Sequence, residues 1–323
     1  MLLFALAVPR RGLDPACAIE RTIAGAPLAE VAAAADVPLW LRKLPPEAAS
    51  RALVKLPDSP TFRLQIANYL PSPEKAPIWL QAVSEMSDLA DAPVAAWIAR
   101  EIARDTQRTR FGRLPLLGLW AWFSGRPETF GCRLVPKRWT PNFGFHSALD
   151  AAIDWRTSID LHVNLGANRM TEPWLLPSSV DGYEFAPLTS ASEIAEEARA
   201  MENCLRTYGF HLAHNVSRLW SMRRGGQRVA TLQIAYRDQR PLPDLIDLKG
   251  AKNSVAPVAV WRAARHWLHL HDLQHVDPKE QVWGSVPLDR ATWTSLWRPY
   301  WLAKRRVPEW LPLMPSREAL RVL

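Results

Sequence analysis

The stretch Val216-Ser-Arg-Leu-Trp-Ser-Met-Arg-Arg224-Gly225-Gly226-Gln227-Arg228-Val-Ala-Thr-Leu-Gln-Ile-Ala-Tyr236 decides the fold class. Two runs with strand character, Val216 to Arg224 and Arg228 to Tyr236, flank Gly225-Gly226-Gln227. Gly-Gly between alternating runs is a hairpin signal, because glycine enters the left-handed turn that matches strand twist. Alternation puts Leu219, Ser221 and Arg223 on one face of the first run and Trp220 and Met222 on the other. In the second run Val229, Thr231 and Gln233 share a face, opposite Ala230, Leu232 and Ile234. One face of the hairpin is therefore apolar and the other carries Ser221, Arg223, Thr231 and Gln233. The register depends on whether the loop holds two residues or three, which the sequence leaves open.

Helical signals surround this hairpin. Upstream, Ser190-Ala-Ser-Glu193 has capping-box spacing, and Ile194, Ala198, Met201, Leu205 and Tyr208 form an apolar stripe on the helix it predicts. Met170 to Leu188 reads as a Pro- and Gly-rich loop with a brief strand at Tyr183 to Phe185. Downstream, Leu242 to Leu248 predicts a third strand, followed by Lys249-Gly250-Ala251-Lys252-Asn253. Asn253 or Ser254 is expected to cap the next helix, with Pro257 in its first turn and Val258, Trp261, Ala264 and Leu268 facing the core. Trp293, Trp297 and Trp301 recur every four residues, with a bend expected at Pro299.

The first half reads differently. Pro38, Pro45, Pro57, Pro60, Pro71 and Pro77 break it into short helices, and Leu28 to Ala35 is a strong helix former. Ile78 to Arg104 predicts two helices split by Pro93, with Trp79, Val83, Met86 and Ala90 as a core stripe. Gly125 to Phe145 reads as connection, His146 to Arg156 as helix and Ser158 to Val163 as a short strand. The expectation is an α+β protein, with an all-α N-terminal domain at 1–155 and an α+β domain with a small antiparallel sheet at 156–323.

Composition agrees with a globular chain. Its 323 residues suit two domains, and 48% hydrophobic content with 16 Trp supplies large side chains for the cores. The formal net charge is +8; from Arg290 onward seven basic residues (Arg290, Arg298, Lys304, Arg305, Arg306, Arg317, Arg321) face only Glu309 and Glu318. That balance suits a nucleic acid or another anionic ligand, and equally a solvated basic face. Cys17, Cys132 and Cys204 are an odd number at wide, unpatterned spacing, neither a disulfide framework nor a CxxC knuckle, which points to a reducing cytoplasm. Met1 to Val8 is too short for a signal segment and no later apolar run is long enough for a span, so no membrane association is expected.

Several short motifs then line up. Met201-Glu-Asn-Cys204-Leu-Arg-Thr-Tyr208, Leu219-Trp-Ser-Met-Arg223, Val229-Ala-Thr-Leu-Gln-Ile234 and Lys249-Gly250-x-x-Asn253 together resemble the PcfJ-like family, named for a conjugative-plasmid protein. The resemblance runs from about Glu193 to Leu268. It implies a PcfJ-like domain and an association with mobile genetic elements. The chain departs from the pattern at Ala198 for glycine, Asn203 for histidine, Leu205 for valine and Asp247 for glutamine. Were that histidine a catalytic base, Asn203 could not replace it, since an amide does not titrate in the useful range.

Two sets of residues could carry chemistry. Cys204 and Tyr208 are the catalytic candidates; on a continuous helix Cys204 lies at the edge of the apolar stripe, so its thiol also reads as a small buried hydrophobe. Ser221, Arg223, Thr231, Gln233, Lys249, Lys252 and Asn253 form the ligand-binding candidate. Helix-start N–H groups, two lysines and the Arg223 fork would together attract a phosphate or carboxylate, while the alternative is a solvated sheet face with Glu197 pairing Arg223. His211 with His214, His266 with His269, and His271 with His275 have ligand spacing but face different ways, so neither metal nor cofactor is expected. The expected function is a mobile-element-associated accessory protein that binds nucleic acid or a phosphate-bearing ligand; the alternatives are an enzyme acting on a nucleotide or phosphate-containing substrate with Cys204, and a protein-binding scaffold.

Overall fold

The computed structural model describes residues 16–49, 53–166, 170–236, 242–271 and 289–305. Met1 to Val8, His275 and the basic residues beyond Arg305 lie outside them. The described residues fall into two compact units, 16–155 with 302–305, and 156–301. The fold is α+β, with a helical N-terminal part and one five-stranded antiparallel sheet.

Proline sets the grain of the first unit. Helices α1 (Ala16–Ile23), α2 (Leu28–Ala34) and α3 (Pro60–Ile66) are short, and α3 starts with proline in its first turn while Ser59 accepts from Phe62 N–H at 3.1 Å. The longer α4 (Ala76–Leu89) and α5 (Ala92–Arg104) are split just before Pro93, as its spacing predicts. Trp79, Val83, Met86 and Ala90 are all buried, as a core stripe should be. Helix α6 (Arg113–Ser124) is apolar all round and buried from Leu116 to Ser124. The expected connection before Phe145 contains one further helical turn, α7 (Phe130–Arg133), capped by Thr129.

Helix α8 (Phe145–Leu165) overturns the strand expected at Ser158 to Val163. Six residues are too few to separate an alternating pattern from a helical one. Tertiary packing decides it here: Trp155, Ile159 and Leu165 are buried, and Ser158 O accepts from the His162 ring nitrogen Nδ1 at 2.8 Å one turn on.

In the second unit β1 (Ser178–Val180), β2 (Tyr183–Leu188), β3 (Arg218–Arg224), β4 (Gln227–Ala235) and β5 (Asp244–Lys249) form a meander in sequence order. The hairpin loop has two residues, Gly225 and Gly226, with φ of 55° and 74°, and Arg224 pairs with Gln227. Left-handed φ at both central positions is the turn that continues the twist of the strands.

Both faces of the sheet are covered. Phe185, Trp220, Met222, Ala230, Leu232 and Ile234 pack against helix α11, Val258 to Leu270, whose Trp267 stacks on Phe185 at 4.6 Å. The opposite face, through Leu188 and Leu219, packs on Leu161 and Leu165 of α8, on α9 (Ala191–Ala200) and on α10 (Gly209–Ala213). The capping box at Ser190 and Glu193 that opens α9 is fully formed. Gly209 lets α10 approach α8: a Cβ there would lie 2.9 Å from the Leu161 Cα. The last helix, α12 (Arg290–Lys304), continues through Pro299 and buries Trp293 and Trp297. Among the described residues no helix is long and apolar enough to cross a membrane.

Candidate ligand-binding site

The polar face of the hairpin is an interior, not an open surface. Ser221 and Thr231 sit directly opposite each other and are both buried under α9. The fully buried Glu197 carboxylate of α9 accepts from Thr231 Oγ1 at 3.3 Å and from Arg228 Nε at 2.7 Å, and Arg228 also donates to Glu196 at 2.6 Å. The chain extends to Asn203, whose Nδ2 donates to Thr231 Oγ1 at 3.4 Å and whose Oδ1 accepts from Leu205 N–H. These bonds satisfy a buried charge, which is the condition for its burial.

The partner of Glu197 corrects the expected pair with Arg223. Simple alternation puts Arg228 on the apolar face with Ala230. A register shift after Met222, however, leaves Met222 opposite Ala230 and Arg223 opposite Arg228. The extra residue reverses the alternation, so Arg228 shares the face of Arg223 and Thr231. Arg223 instead donates from Nε to Ser221 Oγ at 3.1 Å. The carboxylates of Glu197 and Glu196 hold the Arg228 guanidinium pKa above its ordinary value.

A second grouping lies at the β5 end of the same face, and it is open. The helix carrying the apolar stripe stops at Ala200, so Cys204 is not on it; the chain turns through Glu202 and re-enters a 3-10 turn at Leu205–Tyr208. Cys204 is therefore exposed rather than at a core edge. Its sulfur receives the Asn253 amide Nδ2 at 4.0 Å, a long contact. Tyr208 is half-buried next to it, and burial, reinforced by Cys204 and Asp247, pushes its phenol pKa upward.

The 249–253 turn docks onto this segment through Lys252 N–H, which donates to Met201 O at 2.8 Å. Helix α11 begins only at Val258 after Pro257, so neither Asn253 nor Ser254 caps it, and its N–H groups do not belong to the turn. Lys249 lies opposite Thr231 and pairs with Asp247 at 3.4 Å; Lys252 pairs with Glu202 at 3.6 Å. Gln233 lies opposite Asp247 and is partly exposed.

The residues expected at one site thus divide. Cys204, Tyr208, Lys249, Lys252 and Asn253 gather where two turns meet, with Gln233 on the adjoining strand. Ser221 and Thr231 are interior, and Arg223 is held beside Ser221. Asn203, Glu202 and Asp247 join the assembly without having been selected as site residues; the Met201 to Tyr208 motif contained the first two, but only the docked turn shows what they meet. Among the described residues no group of three His, Cys, Asp or Glu side chains is placed to hold a metal ion. Compared with protein-family models, with curated proteins and with solved structures, the chain matches none.

Proposed function

We propose that this chain is a cytoplasmic accessory protein of the PcfJ-like type, associated with mobile genetic elements, that binds nucleic acid or another phosphate-bearing ligand where the 201–208 and 249–253 segments meet. One observation carries the proposal. Glu202, Lys252 and Asn253 have φ of 47°, 56° and 56°, so three non-glycine residues are left-handed within two turns in contact. Such conformations cost on the order of 1 kcal/mol each and cluster where a backbone is shaped for a ligand. The turns present Lys249, Lys252 and Asn253 to solvent.

The lysines can exchange partners. Their pairs with Asp247 and Glu202 are substantially exposed, and exposed pairs contribute only about 0–1 kcal/mol. A phosphate oxygen can therefore compete with these carboxylates for the lysines. Binding of a labelled oligonucleotide should weaken steeply with salt, and Lys249→Ala/Lys252→Ala should weaken it further. Absence of binding at the lowest ionic strength would sink the proposal.

A second reading, an enzyme using Cys204 on a phosphate-containing substrate, is favoured by the exposed thiol with the Asn253 amide on its sulfur. Cys17 is also exposed but lies beside Arg21, so a simple thiol such as glutathione serves as the reference. Alkylation of Cys204 faster than that reference near neutral pH supports the reading; an equal rate removes it.

A further inference from the structure

Helix α11 has one face in the core and the other in solvent. Val260, Ala263, Ala264 and Trp267 are buried. At about 100° per residue, Val258, Arg262, Arg265, His266 and His269 fall within about 60° of a common direction on the opposite side. All five are exposed. The sequence of the helix, Val-Ala-Val-Trp-Arg-Ala-Ala-Arg-His-Trp-Leu-His-Leu, contains no acidic residue.

The cations on this face differ from those at the turn. Lys249 and Lys252 are each paired with a carboxylate. Neither Arg262 nor Arg265 has an ion-pair partner among the described residues; Arg265 only overlies the Trp261 ring at 5.9 Å. His266 faces Asp181 at 3.1 Å. Two unpaired guanidinium groups one turn apart on an acid-free helix suit a polyanion, whose phosphates recur at similar spacing.

From this we infer that the exposed face of α11 is the surface that lies along the phosphate backbone of duplex nucleic acid. The inference takes from the reading proposed above only that the ligand is a nucleic acid, and adds a contact surface on the other side of the sheet from the 201–208 and 249–253 turns. Duplex rather than single strand follows from what the face lacks: binding of unpaired bases uses exposed aromatic rings as stacking platforms. Here Trp267 is in the core, and Trp261 is partly buried and lies under Arg265. Arginine and histidine against phosphates fix orientation without reading sequence, so binding is largely sequence-independent.

The test uses the full chain and a labelled duplex oligonucleotide, with affinity measured across a salt series and a single strand of equal length as the second arm. Each lost phosphate contact lowers the slope of log affinity against log salt by about 0.9, so Arg262→Ala/Arg265→Ala should lower it by about 2. Arg262→Glu/Arg265→Glu should weaken duplex binding at least about tenfold at low salt. Both positions are exposed, and an unchanged circular dichroism melt confirms the fold. If the wild-type protein binds duplex and the reversed variant binds equally, the assignment of α11 is wrong while the nucleic-acid reading stands. If single strand is preferred with the same arginine dependence, the duplex assignment is overturned. If no oligonucleotide binds at the lowest salt, both readings fall.

Discussion

The two faces of the sheet are made from alternate residues of the same strands, both are covered by helices, and yet they are stabilised in different ways. On the α11 side Trp220, Met222, Leu232 and Trp267 pack together with no buried charge among them. On the α9 side a fully buried carboxylate is interleaved with Leu219 and Ile194, and its charge is tolerated because Arg228 and Thr231 bond to it. The apolar face accepts any close-packed arrangement of the right volume. The mixed face accepts only those that keep each polar group partnered, so it fixes register. Moving away from Glu197 towards β5, the same face passes from interior network to the open turns of Cys204 and Asn253.

Four measurements can break or refine that contrast. The largest effect belongs to the apolar face: Trp267→Ala should lower the unfolding free energy by about 4 kcal/mol in urea titration. An unchanged midpoint would mean that α11 does not cover this face. Next, Arg228→Ala should cost about 2 kcal/mol because it strands a buried carboxylate, whereas Arg223→Ala should cost under about 0.5 kcal/mol. The reverse order would show that Glu197 pairs with Arg223 after all.

Loss of the α9 cap comes third: Ser190→Ala should cost about 1 kcal/mol. This effect has a pH signature through Glu193. Partial burial opposes its ionisation, but donors from Thr189 and Ser190 prevail and hold its pKa below the ordinary 4.5. A depressed carboxylate stabilises the fold above its unfolded pKa and loses that contribution as pH falls through the folded one. The gap between wild type and Glu193→Ala, which removes the carboxylate itself, should therefore narrow in acid, below the ordinary carboxylate range. A gap that widens in acid contradicts the capping assignment. Smallest of all, Cys204→Ser should change stability by under about 0.5 kcal/mol, since the thiol is exposed. A loss near 2 kcal/mol would place it in the packed interior that helical spacing suggested.

The sequence by itself determined what depends on neighbours along the chain. Proline positions divided α4 from α5, Ser190 and Glu193 started α9, and Gly225-Gly226 turned the hairpin, because each acts through local backbone preference and local hydrogen bonds. Alternation separated the polar from the apolar residues of β3 and correctly grouped Ser221 with Thr231. Tertiary structure decided the rest. An extra residue in β4 moved Arg228 to the face of Glu197, which no fixed period anticipates. The stripe through Met201, Leu205 and Tyr208 looked like one helix; instead the chain leaves the helix at Ala200 and is held by Lys252 N–H on Met201 O. That bond joins residues 51 positions apart, and it brings Asn253 to Cys204. The residues with chemical potential were legible as a list. Their division into a buried network and an exposed pair of turns was not, because burial is a property of what packs above a residue and not of the residue itself.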